Sequence, residues 1–245
     1  MKKAATKIYQ LLSKLEEFYG PQSPVWPADP YEFLVWWQSG YPASDAACAK
    51  GWQRLNAEVG IAPKQLLEAN AKKLSSVLRA GGMVPELRAS RLQEIARRVK
   101  DQFAGDLRAG LLGPLSAARK TLKSFPGIAD PGADRILLFA GIAPLAAVPS
   151  NCAQVLGRKV DGKEPRNYLA GYRSAQRVIV REVPETFDAR TRAYLLLKCH
   201  GQQICKRSKP QCDECPIKES CAFYRGNRRA EQPDALRRRR TTPAG

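Results

Sequence analysis

Four cysteines, Cys205, Cys212, Cys215 and Cys221, stand in the spacing C-x6-C-x2-C-x5-C near the end of a 245-residue chain that has seven cysteines in all. Four thiolates gathered in one short loop can surround a metal centre, and little else explains the crowding. The loop must turn back on itself so that each sulfur reaches the same interior point. Two donor chemistries suit four thiolates, a 4Fe–4S cluster and a zinc ion. Zinc sites commonly show two C-x2-C pairs, and here only Cys212 and Cys215 make one, so the uneven spacing favours the cluster. Cys48, Cys152 and Cys199 lie outside the pattern and read as core thiols. Cys199 is near enough to rival Cys205 as a ligand but fits the spacing worse.

Lys and Arg outnumber Asp and Glu by 41 to 23, a formal charge of +18. That self-repulsion opposes folding and points to a polyanionic partner, an anionic membrane surface or a solvated basic tail. No apolar run reaches the roughly 18 residues a membrane span needs. The N-terminal stretch lacks the continuous apolar block of a secretory signal. The expected compartment is therefore reducing and cytoplasmic, where clustered cysteines serve as metal ligands rather than disulfides.

Almost every segment carries helical periodicity. Ile8, Leu11, Leu12, Leu15, Phe18 and Tyr19 share one face, and Gly20-Pro21 stops the run. Asp29-Pro30 reads as an N-cap followed by proline in the first turn. Ser44 caps a helix ending near Gly60. Further helices are expected at 63–69, 71–80, 85–103 and 114–124. The one strand-like stretch, Arg177 to Glu182 (RVIVRE), alternates briefly and is flanked by helical pattern. The expectation is an all-α fold. Trp26, Trp36, Trp37 and Trp52 cluster early and read as core, and the single histidine, His200, is expected to pack or hydrogen-bond near the cysteines.

Residues 122–139 (LKSFPGIADPGADRILLF) read as a helix-hairpin-helix. The tight turn is Pro126-Gly127-Ile128-Ala129, with Ile128 as the apolar plug. Gly127 permits a backbone conformation that a β-carbon would oppose. Asp130 is the expected N-cap of the second helix. Such a hairpin sets backbone N–H groups beside a helix N-terminus, where they can hold a phosphate. Arg119, Lys120 and Lys123 are expected to face phosphates or solvent. After Cys221 the chain loses apolar residues, and Arg228-Arg229 and Arg237 to Arg240 mark residues 226–245 as a basic, disordered tail.

A Pro-Gly hairpin at mid-chain followed by this cysteine spacing resembles the endonuclease III family of helix-hairpin-helix DNA glycosylases. Phe125 to Ala133 is similar to that family's hairpin segment, and His200-Gly201 before the cysteines and Pro216 after the third match its cluster loop. Asp29-Pro30-Tyr31-Glu32-Phe33-Leu34 and Ser44-Asp45 resemble its opening helices. The resemblance spans roughly residues 5 to 225. It implies two helical domains flanking a DNA groove: a helical bundle with the hairpin at 27–140, and an iron–sulfur domain at 1–26 plus 141–225. It implies a base-excision repair protein bound to double-stranded DNA, including damaged or abasic duplex, with a 4Fe–4S cluster on Cys205, Cys212, Cys215 and Cys221. Gly127, Ala129, Gly132, Lys206 and Arg207 would meet the DNA. The chain would act as a monomer, associated with the nucleoid and with no membrane.

The resemblance also shows two departures. Family members that cleave the strand carry a lysine nucleophile at the start of the second hairpin helix, and this position is Pro131. The family aspartate that stabilises positive charge on the sugar falls at Pro149. Both expected catalytic side chains are absent. The nearest carboxylate is Asp134, one turn after Pro131, and it stands as the catalytic candidate. Asn151 is a candidate for orienting a water. The second hairpin glycine of the family is Ala129 here, and the family's DNA-inserted glutamine falls at Pro42. The expected function is a DNA N-glycosylase with non-standard catalytic residues and no Schiff-base lyase step, or a catalytically inactive DNA-structure or damage-binding module on the same scaffold.

Overall fold

Helical periodicity along the chain becomes helix in the computed structural model, which describes residues 7–150, 153–164 and 167–231; among these residues every regular element is helical. Residues up to 22, together with those from 146 onward, form one compact unit, and residues 23–145 form another.

Helix α1 (Lys7–Tyr19) buries Ile8, Leu11, Leu12 and Leu15, all 2% exposed or less. Each such burial stabilises by roughly 1.5–3 kcal/mol. Gly20 ends the helix at φ +73, and its amide donates to the Glu16 carbonyl at 2.8 Å. In the same unit lie α10 (Ala153–Asp161), α11 (Tyr168–Glu182), α12 (Phe187–Gln203) and α13 (Ala222–Glu231). The leucines of α1 share a core with Val155, Leu156, Tyr172, Ile179, Leu196, Leu197 and Ile217. The strand-like RVIVRE stretch is the end of α11. Its buried positions, Ala175, Val178 and Ile179, recur at helical spacing, and this outweighs the brief alternation. Helix α13 runs to Glu231, past residue 226 where the basic tail was expected to begin. Arg237 to Arg240, Asn151 and Cys152 lie outside the described residues.

The unit at 23–145 contains α2 (Pro30–Gln38), α3 (Asp45–Glu58), α4 (Pro63–Glu68), α5 (Ala71–Leu78), α6 (Pro85–Phe103), α7 (Leu107–Gly110), α8 (Leu115–Ser124) and α9 (Asp130–Phe139). Asp29 caps α2 through Oδ1, which accepts the amides of Tyr31 and Glu32 at 2.9 and 3.1 Å. Ser44 caps α3 by accepting the Ala47 amide at 3.3 Å. Helix α6 is the spine of this unit. Its Ala89, Leu92, Ile95, Ala96 and Val99 are buried at helical spacing, and it packs against α2, α4 and α5. Arg88 on α6 is fully buried and donates to the carbonyls of Ser39, Leu78, Gly82 and Met83 at 2.6–2.8 Å. Those bonds compensate a buried charge and fix the C-terminal end of α2. Trp26 and Trp36 are core residues. The guanidinium of the buried Arg135 lies 3.8 Å from the centre of the Trp26 ring.

Candidate functional site

The hairpin lies within the 23–145 unit. Helix α8 ends at Ser124, Phe125 is 2% exposed, and Gly127 turns the chain at φ +76. Gln38, fully buried at the end of α2, donates from Nε2 to the Pro126 carbonyl at 2.8 Å and pins the turn from outside. A β-carbon on Gly127 would come 3.3 Å from that same nitrogen. The turn therefore needs glycine both for its dihedral and for the close approach of Gln38. Ile128 is 7% exposed and sits against Gly132, as a plug between the helices.

One expectation about charges at the hairpin is corrected, and two basic side chains there gain acidic partners. Asp130 does not cap α9. The extended residue that leads into the helix is Ala129, so Asp130 is already helical and its carboxylate cannot reach back over the next amides. It pairs instead with Lys123 Nζ at 2.7 Å. Lys123 faces solvent, as expected, with its ammonium paired to that carboxylate across an exposed contact. Arg119 is likewise committed: its Nε and Nη2 lie 2.8 and 2.6 Å from Oδ1 of Asp134, which is 2% exposed. The consequence for α9 is that its N-cap makes no side-chain hydrogen bond, so no cap residue blocks the amides of its first turn.

The cysteine loop lies in the other unit. Helix α12 closes when the amides of Ile204 and Cys205 both donate to the His200 carbonyl, at 3.0 and 2.8 Å. The Gln211 amide returns to the Ile204 carbonyl at 3.0 Å and folds the six-residue spacer into a loop. Single 3-10 turns at Cys212–Glu214 and Lys218–Ser220 then deliver Cys215 and Cys221. Cys205, Cys212, Cys215 and Cys221 line one cavity, together with Arg158, His200 and Ile217. Cys199 does not line it; its sulfur accepts a hydrogen bond from Gln203 at 3.1 Å.

The donor set fits a multi-iron cluster. All four cysteines line one cavity, so each can present its sulfur to a shared body. Zinc draws its four sulfurs to about 2.3 Å from one point, whereas a cubane takes each thiolate on a different iron and spreads them around a larger body. Burial pushes the Cys215 thiol up to about 11 and raises Cys205 and Cys212 as well. Such thiols shed their protons only to a cationic centre, so binding releases protons.

Two buried side chains support the sulfurs; sequence reading placed His200 near them and missed Arg158. Arg158 on α10 is 3% exposed. Its Nη1 lies 3.5 Å from Cys205 Sγ and donates to the Lys206 carbonyl at 2.8 Å, and its Nη2 donates to the Arg207 carbonyl at 2.9 Å and pairs with Glu164. The guanidinium also stands 5.2 Å from the Phe223 ring centre. His200, expected near the cysteines, is 1% exposed; Nδ1 meets the Tyr19 hydroxyl at 2.9 Å and Nε2 lies 3.7 Å from Cys215 Sγ. Burial holds its pKa down at about 4, so the ring is neutral. The side chains of Lys206 and Arg207 are exposed on the same loop. Gly127, Ala129 and Gly132 gather in the hairpin of one unit, while Lys206 and Arg207 belong with the four cysteines in the other.

Residues 205–221 match the family described as the iron–sulfur binding domain of endonuclease III. A thymine-DNA glycosylase of Aeropyrum pernix is 27% identical over 166 residues, covering 66% of this chain and 69% of that protein. A putative DNA repair glycosylase of Methanocaldococcus jannaschii is 25% identical over 216 residues, covering 87% of this chain and 95% of its own. Among solved structures, a non-covalent endonuclease III–DNA complex superimposes with a TM-score of 0.71 at 19% identity, over 91% of this chain and 97% of that one.

Proposed function

We propose that this endonuclease III-like chain is a monomeric DNA N-glycosylase of base excision repair, acting on double-stranded DNA at the nucleoid through non-standard catalytic residues and without a Schiff-base step. Cys205, Cys212, Cys215 and Cys221 hold a 4Fe–4S cluster, which supplies structural and electrostatic support rather than bond cleavage. The observation that carries the reading is the joint presence, on one all-helical chain, of an open-ended hairpin and a four-cysteine loop bearing exposed basic residues. In the hairpin, Gly127 shapes the turn while the backbone at Ala129 and Gly132 faces a phosphate. Lys206 and Arg207 add phosphate contacts from the loop. The target nucleotide leaves the stack before its glycosidic bond is attacked.

A second reading, a damage-binding module that cuts nothing, is favoured by Asp134. Its carboxylate is buried and bound by Arg119, whereas a group that stabilises a sugar cation must touch the sugar. A panel of duplexes carrying oxidised pyrimidine, alkylated purine, uracil or mismatched adenine decides between the two. Base release from one class supports the enzyme; no release with binding intact supports the module. Asp134→Asn completes the experiment. Loss of release with unchanged thermal unfolding makes Asp134 catalytic, and loss of both makes it a structural ion-pair partner.

Binding to duplex is expected to weaken steeply with salt, because each neutralised phosphate releases counterions. Lys206→Ala and Arg207→Ala should each reduce the slope of log K against log salt by about 1, equally across sequences. A titration in which neither variant changes the slope removes the cysteine loop from the DNA interface.

A further inference from the structure

We infer that Tyr19 and His200 form a hydrogen-bond relay that holds the Cys215 thiolate in its ligating position and ties the N-terminal helix to the bound centre. The inference rests on the cluster reading of the cysteine loop and on no assumption about DNA chemistry. His200 lies on α12 with Nδ1 2.9 Å from Tyr19 Oη and Nε2 3.7 Å from Cys215 Sγ, the latter within reach of an N–H···S bond. A ligating thiolate can only accept. Nε2 must therefore carry the proton, Nδ1 is left as a lone pair, and the Tyr19 hydroxyl must donate to it. One tautomer satisfies all three groups. Without the hydroxyl, the buried Nδ1 has lost its donor. The ring is then held from one side only and can turn off the sulfur, which lengthens and weakens the N–H···S bond. A histidine tautomer chosen by the partner of its other nitrogen is a general device for orienting groups around metals.

Two consequences follow from the position of the relay. An N–H···S bond withdraws density from the sulfur and favours the more reduced cluster, so its loss lowers the potential. Tyr19 is also the last residue of α1, and the bond crosses 181 positions of sequence. Docking of α1 is thereby linked to occupancy of the cysteine cavity.

The test uses the full chain, purified with its iron and sulfide, and reads the cluster potential by film voltammetry alongside amide exchange in α1. Tyr19→Phe should retain the cluster but shift its one-electron equilibrium about tenfold toward the oxidised form, about 59 mV downward, with faster exchange across α1. In a His200→Gln background, which has no tautomer to fix, Tyr19→Phe should add no further shift. An unchanged potential in Tyr19→Phe, or an equal drop in the His200→Gln background, overturns the relay. Should His200→Gln not fold, Tyr19→Phe alone decides. Wild-type protein without iron and sulfide would overturn the reading of the cysteines as well as the relay, an outcome distinct from an iron-loaded protein whose potential ignores Tyr19.

Discussion

Arg158→Met will yield protein with far less iron and sulfide per chain than wild type. The substitution keeps the volume and the packing under Phe223 but removes every donor. The carbonyls of Lys206 and Arg207 then lose their partners, and the Cys205 thiolate loses its nearest positive charge. Hydrogen bonds from a charged donor are worth roughly 1.5–3 kcal/mol each, and groups that orient metal ligands typically cost about 10–100-fold in metal affinity when removed. The loop between Cys205 and Cys212 should open while the α1 core persists, because that core rests on Leu11, Leu15, Leu196 and their neighbours. Visible absorbance and iron content should fall together, with far-UV circular dichroism largely retained. Arg158→Lys should recover little, since an ammonium cannot reach both carbonyls and the sulfur from one position. A fully iron-loaded Arg158→Met protein would mean that the four sulfurs need no such brace.

Borohydride reduction will fail to trap this protein on abasic or damaged duplex. Trapping requires an amine that forms an imine with the sugar C1′, and position 131, where the strand-cleaving members of the family place their lysine, is a proline with neither amine nor charge. Lys123, on the preceding helix of the hairpin, is paired with Asp130 at 2.7 Å. The expected yield is at background, compared with efficient trapping by a lysine-bearing relative under the same conditions. Efficient trapping mapped to the hairpin would show that another lysine has taken over the chemistry. Strand cleavage without trapping would leave elimination at a pre-existing abasic site as the source.

The contrast between what sequence reveals and what it hides follows the range of the interactions. Asp29 and Ser44 are caps because the groups they satisfy lie two or three residues ahead, and such local bonds are written into the order of residues. The turn at Gly127 is legible for the same reason. The four cysteines announce themselves because ligands for one centre must be spaced to meet. Asp130 was misread because capping and ion pairing compete for one carboxylate, and the choice was made by the backbone at Ala129 and by Lys123 on the preceding helix. Arg119 and Asp134 were each read alone, although fifteen residues of hairpin bring them together. Gln38 pins a turn 88 positions away, and Arg158 reaches a sulfur 47 positions away. No periodicity marks such residues in advance. The only hint is a polar side chain set where helical spacing calls for a buried face.

All four tryptophans of the chain, Trp26, Trp36, Trp37 and Trp52, fall between residues 23 and 145, while the four clustered cysteines all fall beyond residue 146. Each half of the molecule thus carries its own chromophore. Indole emission, with Trp26 lying against Arg135, reports the hairpin-bearing half, and charge-transfer colour reports the other. A single denaturation followed at both wavelengths would reveal whether the halves melt together or in sequence.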